Sequence, residues 1–384
     1  MIIDIADRLQ GVKPYYFVQK LEQVRQMIAE GKDVINFGIG SPDLSPSEAA
    51  KNAAIAQTKS NQNHGYQAYA GIPEFRDSIV KFYKEFYGID LNNDEVLPLM
   101  GSKEGVLHLT LAFVNPGDTV MIPNPGYPTY SSLTKLLGAD VKPYNLSEAT
   151  GWYPDFEKMA DSDLSNVKML WLNYPHMPTG TPASMKVFDE AIKFANNHNL
   201  LICHDNPYSL VLNNDKPISI FAADGAKDVA VELNSLSKSH NMAGWRVGML
   251  VGAQDYVKTA LRVKSNIDSG MYRGIQNAAI AALADSQDWH DLRNEEYRER
   301  KQLVYQLLDK LDCSYSTNQE GMFVWAKPNK EEVINDIPAF IDQTLEEKYI
   351  FITPGNIFGS NGEGYIRISL CVNSENIKKA LSRF

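Results

Sequence analysis

The sequence predicts an α/β protein in which a mostly parallel sheet forms a large domain and a smaller α+β domain follows. Three observations support this. The 384 residues exceed what a single core usually organises. Through the middle of the chain, short apolar runs alternate with amphipathic helical stretches. After about residue 285 that alternation gives way to a long charged helical pattern.

The apolar runs at 119–122, 168–172, 200–204, 229–233 and 247–251 read as buried strands. Between two of them, the helical pattern over 186–197 places Val187, Phe188, Ala191, Ile192 and Ala195 on one face. Strand and helix in repetition call for a parallel sheet covered on both sides, with ligands beyond the carboxyl ends of the strands. Past 285 the pattern predicts a helix over 289–311, a strand near 322–326, another helix, and a strand at 365–370. A helical stretch near 17–29 is expected to pack on this second unit. The expected division is an N-terminal arm forming part of the small domain (1–45), a large domain (46–285) and the small domain (286–384).

Composition narrows the function. With 44% apolar and 22% charged residues, the chain has the balance of an ordinary globular protein. Its net charge of -10, from 47 acidic and 37 basic residues, argues against a nucleic-acid or anionic membrane partner. No apolar run reaches eighteen residues, so no membrane span is expected. Cys203, Cys313 and Cys371 are too few and too scattered for a disulfide framework or a zinc site, and no metal is expected. Met1-Ile2-Ile3-Asp4 does not open a secretory signal, and a cytoplasmic location follows as the expectation.

The chemistry concentrates after the strand at 229–233, in Ser235-Leu-Ser-Lys-Ser-His-Asn-Met-Ala-Gly-Trp-Arg-Val-Gly248. Ser235, Ser237 and Arg246 suit a phosphate, because hydroxyls and a guanidinium fork match its oxygens. Lys238 at the same strand end can form an imine with a carbonyl cofactor once burial or nearby cations lower its pKa. Taken alone, Lys238 reads most simply as a surface lysine in a polar loop. Ser235-x-x-Lys238 is also the nucleophile spacing of penicillin-recognising acyl enzymes, but the companion Lys-Thr-Gly and Ser-Asp-Asn motifs are missing. At the end of another apolar strand stands Cys203-His-Asp-Asn-Pro-Tyr208. A carboxylate there can keep a pyridine nitrogen protonated, and a tyrosine three residues on can bond a phenolic oxygen. A capping Asp and a packed Tyr would account for the same residues.

Together these segments resemble the fold type I pyridoxal-phosphate aminotransferases of the aspartate-aminotransferase-like class I/II group. The likeness spans nearly the whole chain, from Phe37-Gly-Ile-Gly-Ser-Pro-Asp43 to Tyr365-Ile-Arg-Ile-Ser369. Gly101-Ser-Lys-Glu-Gly105, Asn124-Pro-Gly-Tyr-Pro128 and Asn266-Ile-Asp-Ser-Gly270 place it nearest the LL-diaminopimelate aminotransferase-like branch. The resemblance implies that Lys238 is the Schiff-base lysine, that Asp205 partners the pyridine nitrogen and that Tyr208 contacts the ring oxygen. It assigns the phosphate to Ser235, Arg246 and the Ser102–Lys103 helix start, whose backbone donors favour an anion. Tyr127 would stack on the ring, and Tyr66 would reach the phosphate of a neighbouring subunit, implying a homodimer with shared sites. Arg367 and Gly40 would hold the substrate carboxylate. An arginine between isoleucines in a strand is costly to bury without an anion, which supports that role for Arg367.

The sequence departs from the family at Met177-Pro-Thr-Gly180, where the pattern is Asn-Pro-Thr-Gly. Methionine cannot make the asparagine's hydrogen bond to the ring oxygen. A raised imine pKa and altered chemistry are therefore expected, with Asn173 and His176 as neighbours able to compensate. The reaction implied is ping-pong transfer of an amino group between an L-amino acid and a 2-oxo acid, in amino-acid biosynthesis. A C–S β-lyase or decarboxylase on the same fold is the alternative. For substrate, the branch points to diaminopimelate or an acidic amino acid. Yet 66–71 (Tyr-Gln-Ala-Tyr-Ala-Gly) lacks the acidic residue expected near a distal ammonium. Aromatic, methionine-like and alanine-like donors stay open.

Overall fold

A computed structural model describes residues 3–9 and 16–384; residues 1–2 and 10–15 of the expected arm lie outside the described residues. In chain order the strands are Ile35–Asn36 (β1), Val96–Leu99 (β2), Thr119–Asn124 (β3), Asp140–Asn145 (β4), Val167–Leu172 (β5), Leu201–Asp205 (β6) and Ala230–Ser235 (β7). They continue with Gly248–Gly252 (β8), Cys313–Tyr315 (β9), Phe323–Pro328 (β10), Ile350–Phe351 (β11), Thr353–Pro354 (β12) and Ile366–Ser369 (β13).

Seven strands form one sheet in the order β2-β8-β7-β6-β5-β3-β4, in which β8 runs antiparallel to both neighbours and the other pairings are parallel. The mostly parallel sheet expected from the sequence is present. Its apolar residues alternate as a two-sided sheet requires. Met169 and Trp171 of β5 join Leu201 and Cys203 of β6 in one layer, under Val106 and Leu109 of helix Ser102–Phe113. Leu170, Leu172 and Ile202 face the other way, onto Val187, Phe188, Ala191 and Ile192 of helix Met185–His198. β2 and β4 are additions to the expected strands. Both are edge strands that carry a proline: β2 is only four residues long, with Pro98 inside it, and β4 is largely exposed around Pro143.

A second sheet, β12-β13-β10-β9, is antiparallel. It packs on helices Gln287–Lys310 and Ile337–Lys348 through Leu307, Leu308, Ile341 and Leu345 against Val324, Ile366 and Ile368. The beginning of the chain joins this core. Val24 and Met27 of helix Tyr16–Ala29 lie in it with Ile35 and Phe37, and β1 pairs in parallel with β11.

One buried charge cluster braces the large sheet near its ligand-binding edge. Lys264, 1% exposed at the end of helix Gln254–Lys264, donates to Glu104 Oε1 at 3.1 Å and also pairs with Asp268. Glu104 accepts in turn from the Met100 N–H at 2.5 Å, and its Oε1 lies 3.0 Å from His108 Nε2. The cluster thus joins 101–105 to 266–270, two stretches distant in sequence. Removing the single ammonium would leave two carboxylates without their shared counter-charge. Lys264→Met is expected to lower unfolding free energy by about 3–5 kcal/mol in urea titration. A loss under about 1 kcal/mol would show that the cluster does not brace the fold.

Candidate active site

The site begins with a close approach of backbones. Gly248, the first residue of β8, pairs with Leu99 on one side and Ser235 on the other. A Cβ there would stand 2.7 Å from the Ser102 N and 2.9 Å from the Asn234 O, so only glycine lets the three segments meet. Gly101, at φ +86, is the N-cap of helix Ser102–Phe113, and a Cβ on it would collide with the Arg246 guanidinium. Arg246 itself takes the left-handed conformation at φ +56 and donates to the Ala243 O at 3.0 Å. Ser235 ends β7 and caps the short helix Leu236–Ser239, with Oγ accepting from the Ser237 N–H at 3.1 Å and lying 2.8 Å from Ser237 Oγ. Two hydroxyls, a guanidinium, Lys103 and the free N–H groups of a helix start therefore line one cradle, which suits a phosphate.

Lys238 stands beside it. Its Nζ donates to the Gly40 O, and burial pushes its pKa down, with Arg367 and Arg246 adding to the effect and Cys371 opposing it. Asp205 is the last residue of β6. Its Oδ2 accepts from the Tyr130 hydroxyl at 2.8 Å, whereas its Oδ1 is buried without a hydrogen-bond partner. Burial raises the carboxyl to about 6, although Tyr130 and His204 pull the other way. An orphaned carboxylate oxygen in a buried site calls for a donor such as a protonated ring nitrogen. Asn173 supports the strand end by donating to the Asp205 O at 2.7 Å and accepting from the Met177 N–H at 2.9 Å.

These groups share a cavity of about 370 Å³ between the carboxyl ends of the parallel strands and the small sheet. Tyr208 lines it edge-on to Phe323, with ring centroids 6.0 Å apart. Tyr127 precedes helix Pro128–Leu136, its ring perpendicular to Tyr130 at 5.5 Å. Arg367 enters from β13, 5% exposed, and donates through Nη2 to the Gly38 O at 2.9 Å. Its guanidinium carbon lies 3.9 Å from the Phe323 ring centre and 4.7 Å from that of Phe358, with Met177 Sδ 3.5 Å from Nη1. Gly40 presses against Phe323, where a Cβ would not fit.

Of the residues expected at the site, Ser102, Lys103, Tyr127, Asp205, Tyr208, Ser235, Lys238, Arg246, Gly40 and Arg367 line this one cavity. Tyr66 does not, and at 93% exposed it faces away from its own chain. His176 is not in the lining either; its Nδ1 is 2.8 Å from Thr179 Oγ1. Phe323 and Phe358 were not legible as site residues, since each looks like an ordinary core aromatic. Tyr130 could have been found from its place one helical turn after Tyr127. The cradle at Gly101 and Gly248 and the orphaned Asp205 oxygen fit the phosphate and the ring nitrogen of pyridoxal phosphate.

Comparison with known proteins agrees. The family model for aminotransferase class I and II matches residues 32–384. The LL-diaminopimelate aminotransferase of Dehalococcoides mccartyi is 39% identical over 381 residues, covering 99% of this chain and 97% of that one. The substrate-bound BacF structure from Bacillus subtilis superposes with a TM-score of 0.94 at 33% identity, covering 99% of this chain and 97% of BacF. An aspartate aminotransferase mutant of Thermus thermophilus shares the fold at a TM-score of 0.92 and 24% identity, covering 100% and 99%. The chain belongs to the class I and II aminotransferases, and is a pyridoxal-phosphate-dependent enzyme that acts on an amino acid and a 2-oxo acid.

Proposed function

We propose that Lys238 carries pyridoxal phosphate covalently and moves the proton in each half of a ping-pong amino transfer. The observation that carries this reading is the meeting of a buried Lys238, an unpartnered Asp205 Oδ1 and the Arg246 cradle in one cavity. When bound, the cofactor supplies an electron sink that acidifies the α-proton of an attached amino acid. Asp205 pairs with the ring N–H and keeps that nitrogen protonated. Tyr208 donates toward the ring oxygen, and Tyr127 covers the ring. Ser235, Arg246, Lys103 and the Ser102 N–H hold the phosphate at the helix start.

Arg367 receives the α-carboxylate of the amino acid, beside the Gly40 backbone. Lys238, when not bonded to the cofactor, would be a base whose burial favours the neutral form. With the cofactor bound, the neutral Lys238 amine would be the general base for the α-proton of the amino acid and the acid that gives it back. A second 2-oxo acid reverses these steps. The relatives found do not favour the lyase or decarboxylase alternative. The branch likeness makes diaminopimelate one donor to test.

The homodimer belongs to the same proposal. Tyr66 is exposed, as are Ile55, Tyr69, Ile267 and Tyr272, in segments brought near one another where helix Glu48–Lys59 packs on helix Arg273–Leu283 and Gly270 approaches Gln67 and Ala68, which supports burial against a second copy and delivery of Tyr66 to its cavity. A cytoplasmic location is in keeping with this biosynthetic reading, and among the described residues no helix is long and apolar enough to cross a membrane. The division into a large cofactor-binding domain over 46–285 and a small domain from 286 is supported by the two sheets and their cores.

Three measurements test this reading. Adding pyridoxal phosphate to the wild-type protein should produce a visible absorbance band that bleaches with an amino donor, and Lys238→Ala should abolish it. A band that survives in Lys238→Ala places the covalent bond elsewhere. Asp205 gives a pH signature in the cofactor-free protein. Its folded pKa, at about 6, lies above the ordinary 3.8, so the folded state holds a proton that the unfolded state has lost. Stability from this group is present below pH about 4 and falls as pH rises to about 6, on the order of 3 kcal/mol in all. Asp205→Asn should flatten that segment of the stability curve; an unchanged slope would contradict it. Finally, Met177→Asn should lower the pH midpoint of the visible band, because an amide can bond the ring oxygen where the thioether cannot. A midpoint that does not move would remove Met177 from the tuning of the imine.

A further inference from the structure

The cavity divides into two ends of different character. Around Gly101 it is polar and cationic, with Lys103, Arg246, Ser235 and Ser237. Around Arg367 it is apolar on each side the described residues form. The Phe323 and Phe358 ring centres lie 3.9 and 4.7 Å from the guanidinium carbon, and Met177 Sδ lies 3.5 Å from Nη1. Leu21 and Ile39, the latter between Gly38 and Gly40, add apolar lining to the same cavity.

The charges in the cavity are unequal. Among the described residues its lining holds four cations, Lys103, Lys238, Arg246 and Arg367, and a single carboxylate, Asp205. Asp205 lies at the carboxyl end of β6 in the large sheet, bonded to Tyr130, whereas Arg367 comes from β13 of the small sheet. With Lys103 and Arg246 in the phosphate cradle and Lys238 on the cofactor, Arg367 remains for the α-carboxylate. A substrate with a second ammonium would bring it to an apolar wall, among cations, with no carboxylate of the described residues beside Arg367 to pair it. Nor does the 66–71 segment of a second copy supply one, being Tyr-Gln-Ala-Tyr-Ala-Gly.

We propose that the preferred amino donor carries an uncharged, apolar side chain, of the leucine, methionine or phenylalanine class, and that Ile39, Met177, Phe323 and Phe358 select it. This rests on the aminotransfer reading above, and it sets the chain apart from relatives named for LL-diaminopimelate. The sulfur of Met177 and the rings of Phe323 and Phe358 give the side chain dispersion contacts. They also keep water from Arg367, which strengthens its hold on the carboxylate.

The test uses the holoenzyme in a single half-reaction, followed by loss of the visible band. L-leucine, L-methionine and L-phenylalanine are compared with LL-diaminopimelate. The best apolar donor should exceed LL-diaminopimelate by roughly 100-fold in second-order rate constant. Ile39→Asp, at a position 42% exposed and so tolerant of a carboxylate, should narrow or invert that ratio. A second readout needs no turnover: reduced conjugates of pyridoxal phosphate with L-leucine and with LL-diaminopimelate are titrated into the cofactor-free protein by calorimetry. The leucine conjugate should bind at least about 10-fold more tightly. Faster reaction or tighter binding with LL-diaminopimelate overturns the substrate assignment and leaves the aminotransfer reading standing. If the band forms but no donor bleaches it, the conjugate affinities decide the assignment. Absence of any Lys238-dependent band instead brings down the aminotransfer reading itself.

Discussion

The site depends on the contact at Gly248, where β8 enters the sheet against the grain of its neighbours. A strand running the other way brings its amino end to the carboxyl ends of the parallel strands. Because residue 248 has no side chain, the Ser102 N–H and the Asn234–Ser235 turn close on it. The helix start, the Ser235 hydroxyl and the Arg246 guanidinium then converge within one cradle. The Glu104–Lys264 cluster secures this arrangement from behind, because Glu104 holds the Met100 N–H immediately before the glycine cap. An anion site made of backbone donors is only as good as the placement of the backbone, and here two glycines and a buried ion cluster set that placement.

From the cradle outward, electrostatics arranges the rest. Asp205 sits one strand away from Ser235, with one oxygen satisfied by Tyr130 and the other left without a donor. Burial makes that oxygen costly until a protonated ring arrives. Lys238 is buried near two guanidiniums, which favours its neutral form, the one able to attack a carbonyl or accept a proton. Arg367 closes the far side from the small sheet, its guanidinium close to the Phe323 and Phe358 rings and bonded through Nη2 to the Gly38 carbonyl. In the proposed reading the two sheets contribute different halves of the chemistry: the mostly parallel one would hold the cofactor, and the antiparallel one would receive the amino acid.

Much of this was legible in the sequence because the cofactor residues lie next to strand ends, and buried strands announce themselves as apolar runs. Asp205 and Ser235 close such runs, and Lys238 follows three residues later. Arg367 stood out because a cation between isoleucines is anomalous. The edge strands β2 and β4 were not legible, since a strand paired on one side tolerates Pro98 or Pro143 and needs no continuous apolar face. The apolar wall was hidden for the opposite reason. Phe323 and Phe358 have the pattern of core residues, and only the folded chain shows that their core opens onto a cavity. Met177 was visible as a departure from the family pattern, but its contact with Arg367 belongs to tertiary structure.

The central claim, that Lys238 is the residue bonded to the cofactor, is tested most directly by chemical trapping. The protein is loaded with pyridoxal phosphate, reduced with borohydride, digested and mapped by mass spectrometry. The account predicts one modified peptide, carrying the phosphopyridoxyl group on Lys238. Modification at another lysine, with Lys238 unmodified, would contradict it.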